Sequence, residues 1–186
     1  MDRGDDAVKE WERTTITGAA PLRTRTMRFD DVPDVLRLVQ RAVEHGCRDH
    51  YDRGQRDAVY ASYARNLFVD ALGPFDTVVA EQDEDVVGVA QLDPPDCRLR
   101  AIFVDAPAQR HGIGRTLLAE IEARARKRGL TRLHGAMSLN AVPFYLNAGF
   151  RPYGGGPEQL VSVNISIPVL RMEKQLRARP SAPPSK

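Results

Sequence analysis

Cysteine is scarce in this chain: Cys47 and Cys97 are the only two in 186 residues, too few for a disulfide framework. With four scattered histidines they make no zinc spacing either, so no metal site is expected. Two unpaired thiols fit a reducing compartment. No apolar run approaches the roughly 20 residues that a membrane-spanning helix needs. The opening stretch MDRGDDAVKEWERTT has acids early and no apolar segment. It does not read as a signal peptide, and a cytoplasmic location is expected. An excess of one charge is missing too. The net charge is +2, which gives no strong field for a nucleic-acid or membrane partner. A P-loop, G-x-x-x-x-G-K-[ST], is absent. The dinucleotide pattern G-x-G-x-x-G fails at its third glycine, where Leu117 stands.

What is present is ordinary for a globular protein: 42% apolar and 28% charged residues. The length suits one domain with a real core and some tail. Residues 1–20 are polar and weakly patterned and read as an N-terminal tail, with Trp11 able to pin part of it. Residues 21–174 read as the domain. Residues 175–186, ending RARPSAPPSK, are rich in Pro and Ser and read as a disordered tail.

Within 21–174 the elements alternate. PLRTRTMRF is a strand with Leu22 and Met27 as anchors. DDVPDVLRLVQRAVEHG has apolar residues at 32, 35, 36, 39 and 43, a helical stripe. Asp30 or Asp31 can cap it, Pro33 sits in its first turn and Gly46 can end it. RGQRDAVYASYARNLFVDALG is a second helix, with Val59, Tyr63 and Leu67 in line. FDTVVAEQ and DVVGVAQLD are strands joined by an acidic turn, and CRLRAIFVD is a third. A helix beginning near Gly114 puts Leu117, Leu118, Ile121 and Ala125 on one face and ends in RKRG, with cations at the negative end of the dipole. TRLHGAM is a strand. NAVPFYLNAGF is a short helix with Asn140 as its expected N-cap. FRPYG and VSVNISIPVLRME are closing strands, with GGGPEQL between them. The order β-α-α-β-β-β-α-β-α-β-β defines a mixed α+β class around one sheet.

The stretch AQRHGIGRTLL, residues 108–118, lies where a buried strand hands over to a helix. The first N–H groups of a helix have no internal partners and carry positive partial charge. A turn without side chains lets a bulky anion reach them, and Gly112 and Gly114 offer that clearance and tolerate positive φ. Arg110 and Arg115 flank the turn and can grip phosphate. A diphosphate at this helix start is the physical expectation. A lone G-x-G is equally a helix start with no ligand.

Two ordered blocks decide between these. Gln109, Gly112 and Gly114 follow a strand, and Asn140, Ala141, Phe144, Tyr145, Gly149 and Phe150 follow about 25 residues later. Together they resemble the GNAT acetyltransferase superfamily over about residues 22–174. One proline departs from the pattern, falling a residue late at Pro107. The resemblance implies a GNAT-like acyl-CoA N-acyltransferase fold: one central, mostly antiparallel sheet, splayed in a V and flanked by helices. It implies acetyl-CoA as donor, with CoA as product. Residues implied in cofactor binding are Ile102, Phe103, Val104, Gln109, Arg110, His111, Gly112, Ile113, Gly114, Arg115, Thr116, Asn140, Phe144 and Tyr145. The pyrophosphate would lie on N–H groups of residues 110–115, and the pantetheine arm along strand 102–104 as a substitute strand would. Strands 98–104 and 131–136 would splay to admit it.

Tyr145 matches the position of the family's proton donor to the departing thiolate, and a phenol is chemically capable of that role. A backbone N–H near Phe103 or Val104 is the expected oxyanion donor. The acceptor must lose a proton to become a nucleophile; Glu81, Asp93, His50 and His134 are base candidates by residue type alone. His50 and Tyr51, in the loop between the first two helices, suit an amine pocket, as does an ordinary polar loop. The function expected is acetyl transfer from acetyl-CoA to a primary amine of a small molecule or of a peptide or protein N-terminus, by direct attack in a ternary complex. The alternatives are a non-catalytic acyl-CoA-binding regulatory module on the same fold and a nucleotide-binding protein using the glycine turn. No nucleic-acid or membrane partner is expected, and a homodimer is one assembly the resemblance allows.

Overall fold

A computed structural model describes residues 21–71, 75–162 and 164–176. The expected tail 1–20, Trp11 included, and residues 177–186 lie outside them. Seven strands form one sheet in the order β1-β2-β3-β4-β5-β7-β6. They are β1 (Arg23–Thr26), β2 (Asp76–Gln82), β3 (Asp85–Asp93), β4 (Arg98–Val104), β5 (Arg132–Ser138), β6 (Arg151–Ser162) and β7 (Ile165–Gln175). Every pairing is antiparallel except β4 with β5. The helices are α1 (Val32–Gly46), α2 (Arg53–Ala71), α3 (Ile113–Lys127) and α4 (Val142–Asn147). The element order and the α+β class are those read from the sequence.

Alternation along the strands divides the core between the two faces of the sheet. Val78, Ala80, Ala90, Leu92, Leu133 and Met172 meet Leu117, Leu118, Ile121 and Ala125 of α3. Val79, Val89 and Val169 face the other way, onto Val32, Val35, Leu38, Val39 and Val43 of α1 and Ala58 of α2. Each fully buried Leu, Ile or Val contributes on the order of 2 kcal/mol, so two apolar stripes at helical spacing are enough to fix which helix covers which face. The side chain of Leu67, expected in the α2 stripe, is outside the described residues. Across α3, buried Glu122 pairs with Arg126 one turn on (2.8 Å) and with Lys174 of β7, which ties the helix to the sheet beyond the parallel step.

Several local expectations are corrected. Asp31 does not cap α1 with its side chain. A 3-10 turn at Phe29–Asp31 leads in, and the Asp31 carboxylate instead accepts from Arg25 (2.6 and 2.9 Å) and from the Arg28 N–H (2.6 Å). Asn140 is not the N-cap of α4: it lies in a further 3-10 turn, Leu139–Ala141, and Pro143 falls in the first turn of the helix that follows. VSVNISIPVLRME is not one strand, because Asn164 turns with φ +62 and the segment divides between β6 and β7. GGGPEQL is not a connection. Tyr153–Gly156 bulges out of β6 between the pairs Pro152–Met172 and Pro157–Leu170. The domain also runs past residue 174: β7 continues through Gln175, and Leu176 is buried and donates its N–H to Thr131 (2.7 Å).

Candidate active site

β4 and β5 are joined only at one end. Their register holds at the single pair Arg98–His134, supported by the His134 N–H on the Cys97 carbonyl (3.1 Å). Gly135 permits this approach, since a Cβ there would stand 2.6 Å from the Leu99 carbonyl oxygen. Beyond that point the strands diverge, and a cleft of about 880 Å³ opens between them. Its walls are Ile102, Phe103 and Val104 on β4, Ser138 at the end of β5, Asn140 and Ala141 in the turn that follows, and Pro143, Phe144, Tyr145 and Asn147 on α4. Gln109, Arg110, Gly112, Ile113, Gly114 and Arg115 close the base, and Ala42, Gly46 and Cys47 at the end of α1 close one side.

The turn before α3 is held from several directions. Asp105 accepts from the Ala106 N–H (2.9 Å) and binds Arg41 of α1 (2.9 and 2.6 Å). Gln109 donates to the Val104 carbonyl (3.0 Å). Arg110 and Gly112 take φ of +67 and +85, turning the chain so that successive N–H groups point outward. Arg115 and Thr116 return their N–H groups to Gly112 (3.0 Å each). Among the described residues, the N–H groups of Arg110, His111, Gly112, Ile113 and Gly114 have no protein acceptor. Exposed Arg110 and Arg115 stand at the same mouth, and neither has an ion-pair partner among the described residues. Unpaired donors, the positive end of a helix and two guanidiniums together make a site for a polyanion.

Tyr145 is buried in the cleft wall, edge-on to Phe144 (5.0 Å) and Phe150 (5.4 Å). Burial raises its phenol pKa well above the ordinary value. It remains a hydroxyl donor throughout the neutral range. Cys47 is likewise buried, its thiol pushed up to about 11 by desolvation. It donates weakly to Asn140 Oδ1 (3.5 Å), linking α1 to the turn that carries Asn140.

The fourteen cofactor residues implied by the resemblance are placed unevenly. Twelve line the cleft; His111 and Thr116 lie on its exposed rim with their side chains turned to the Ala108 and Gly112 carbonyls (3.4 Å each). His50 and Tyr51 do not line it. His50 is exposed in the turn after α1. Tyr51 is buried; its hydroxyl donates to the Pro168 carbonyl (2.7 Å) and accepts from the Leu139 N–H (2.8 Å), which fixes the interhelix loop to β7 and to the end of β5. The contribution of Ala42, Gly46 and Cys47 was missed. Gly46 and Cys47 read as a helix stop and an idle thiol, and no local pattern tells which way the end of a helix points. Of the four base candidates, Glu81 is bound to Arg25 (3.3 Å) and Asp93 sits 3.8 Å from Arg100. Among the described residues no cluster of His, Cys, Asp and Glu is arranged to hold a metal, and no helix is long and apolar enough to cross a membrane.

The fold is shared with solved structures. A GCN5-related N-acetyltransferase from Rhodopseudomonas palustris superposes with a TM-score of 0.77 at 21% identity, over 85% of this chain and 98% of its own. The PaiA N-acetyltransferase of Thermoplasma acidophilum, solved with coenzyme A, matches with 0.69 at 17% identity, over 83% and 99%. YncA of Salmonella typhimurium, solved with acetyl-CoA, matches with 0.60 at 20% identity, over 89% and 100%. At these identities the likeness establishes the fold. No curated protein matches the chain in sequence. The family model for the acetyltransferase (GNAT) domain matches residues 56–176, more than half of the chain. The protein belongs to the GNAT acetyltransferases.

Proposed function

We propose that this protein transfers an acetyl group from acetyl-CoA to a primary amine, of a small molecule or of a peptide or protein N-terminus, by direct attack within a ternary complex. The observation that carries the reading is the run of five unpaired N–H groups, Arg110 to Gly114, at the base of a cleft between splayed strands. A diphosphate is the group such a run would hold. The exposed edge of Ile102–Val104 is a backbone surface along which an amide-containing arm can pair as an added strand does. The two relatives solved with coenzyme A and acetyl-CoA make the same donor reasonable here.

In this reading Arg110 and Arg115 neutralise phosphate, and Asn140, oriented by Cys47, turns its amide N–H groups toward the arm. A backbone N–H at Phe103 or Val104 stabilises the oxyanion that forms when the amine adds to the thioester, an effect worth about 3 kcal/mol. As the carbon–sulfur bond breaks, the Tyr145 hydroxyl donates to the sulfur. Its raised pKa makes full proton transfer less favourable than for an ordinary phenol. The hydrogen bond to the developing thiolate is therefore the larger part of its contribution. The test is release of free thiol from acetyl-CoA in the presence of a panel of small amines and free-N-terminal peptides. Amine-dependent release with one acetyl group on the amine per thiol supports the reading. Tight binding of acetyl-CoA with no turnover across the panel would favour a binding module instead.

A further inference from the structure

An amine attacks a thioester through its lone pair, which an ammonium lacks. The acceptor must therefore be neutral when the new bond forms, and the side chains lining the cleft decide how it becomes so. Among the described residues four of them are ionisable: Cys47, Arg110, Arg115 and Tyr145. None takes up a proton near pH 7. Arg110 and Arg115 stand exposed at the mouth, and a guanidinium does not release its proton in a protein. Cys47 and Tyr145 are buried, and desolvation keeps the thiol and the phenol in their protonated, neutral forms. The remaining polar side chains of the lining, those of Gln109, Ser138, Asn140 and Asn147, carry no charge.

The carboxylates around the sheet are committed elsewhere. Asp105, one residue beyond the β4 wall, holds Arg41 (2.9 and 2.6 Å) and the Ala106 N–H (2.9 Å). Glu81 and Asp93 lie beside Arg25 and Arg100. None of these three lines the cleft, and neither do His50 and His134. The negative end of α1 reaches the cleft at Gly46 and Cys47, but the Cys47 carbonyl there already accepts from the N–H groups of His50 and Tyr51 (3.1 and 3.0 Å). From Ala42, Gly46 and Cys47 across Phe103 to Ser138 the wall is built of small, apolar or neutral residues. An ammonium entering beside it would give up water without meeting an anion, which disfavours the charged form. A neutral amine carries no such penalty.

We propose that the acceptor is a weakly basic primary amine, such as the α-amine of a peptide, which enters the cleft already neutral, and that the cleft selects against strongly basic alkylammonium groups. The inference rests on the acetyltransferase reading above and narrows its acceptor. The step balances without a base: the nitrogen lone pair adds to the carbonyl carbon, the carbon–sulfur bond breaks, and the proton shed by nitrogen ends on sulfur. An acceptor that entered as an ammonium would have one more proton to place. At pH 7 an α-amine of pKa about 7.7–8.0 is neutral in roughly a tenth of its molecules, and a lysine-type amine of pKa about 10.4 in about four per ten thousand. The neutral fractions differ by about 10²-fold, and the stronger nucleophilicity of the more basic amine offsets part of that.

Two measurements on the full chain with acetyl-CoA test this. The first is competition within one peptide, Ala-Lys-Ala, with the acetylated nitrogen located by fragmentation mass spectrometry. The α-amine is expected to take the acetyl group over the lysine side chain by about tenfold or more at pH 7, with the excess narrowing toward pH 10. Preference for the lysine nitrogen at pH 7 would overturn the proposal. The second holds size nearly constant: ethylamine, 2-fluoroethylamine and 2,2-difluoroethylamine, in which each fluorine lowers basicity. Reckoned on total amine, kcat/KM at pH 7 is expected to rise along the series. For ethylamine it should climb about tenfold per pH unit between pH 7 and 9, following that amine's own neutral fraction. A profile for ethylamine that levels off by pH 8, or ethylamine used as well as difluoroethylamine at pH 7, would overturn the proposal, because a group in the protein would then be taking the proton. Calorimetry with acetyl-CoA separates the two levels. Binding without acetylation of any of these amines sinks the acetyltransferase reading itself, whereas acetylation that favours the strongly basic nitrogen sinks this inference alone.

Discussion

Gly112 and Gly114 sit two residues apart and are glycine for different reasons. Gly112 has φ of +85 and open space where a Cβ would go, so it shapes the turn and leaves room above the N–H groups. Gly114 has no positive φ, and a Cβ there would meet Phe144 at 3.4 Å, an ordinary contact distance; its missing side chain keeps the cleft wall low rather than relieving a clash. The sequence pattern G-x-G marks both places alike and does not separate the two. Gly112→Glu is expected to abolish acetyl-CoA binding by calorimetry, through bulk and like charge, while the protein still melts cooperatively. Near-normal affinity would remove the loop from the donor site. Tyr145→Phe is expected to lower kcat by about 10²-fold with acetyl-CoA affinity little changed. Because burial holds its phenol protonated, ionisation of Tyr145 should cause no alkaline loss of kcat below about pH 10, where an ordinary tyrosine ionises. The two thiols should also separate. Cys47, buried and with its pKa raised to about 11, should resist iodoacetamide at pH 8 while half-buried Cys97 reacts, as read by peptide mass mapping. Equal rates would contradict the burial of Cys47.

The α1–α2 connection is held by one side chain. Tyr51 bridges the Leu139 N–H and the Pro168 carbonyl, and so joins the loop to β7 and to the turn that follows β5 at the cleft. Tyr51→Phe leaves both backbone groups without that partner. It is expected to cost about 1–3 kcal/mol in denaturant unfolding, and no loss of stability would show that the bridge is not formed in solution. Aromatic and ionisable residues in a loop suit a ligand pocket and a loop anchor equally well. Only the approach of β7 decides between them, and that contact spans more than a hundred residues. The same limit explains β6. Three glycines before Pro157 have the composition of a loop, yet here they form a bulge inside a strand, because the residues beyond them pair again with β7. By contrast α1 and α3 were legible at nearly their full length, since their apolar stripes match the faces they bury. β3 was legible to the residue because the acidic turn before it, with Asp83 and Glu84 at positive φ, marks its start.

A sheet of seven strands with one parallel step builds the cleft from backbone alone. β4 and β5 are neighbours in the sheet but are separated in the chain by α3, and they pair only at Arg98 and His134. The opening, the helix start below it and the α4 wall all follow from that one divergence. The order of elements was readable because each strand and helix carries its own period. The volume between two diverging strands leaves no local mark, and neither does the end of α1 that closes its side. Family resemblance was needed to expect the V at all. The account depends on the N–H groups of residues 110–114 holding the pyrophosphate of acetyl-CoA. The most direct measurement is a ¹H–¹⁵N spectrum of the full chain titrated with acetyl-CoA. The amides of Arg110, His111, Gly112, Ile113 and Gly114 are predicted to shift together, saturably and more than any others. If acetyl-CoA bound while those five signals stayed in place, or produced no saturable shift anywhere, the claim would be contradicted.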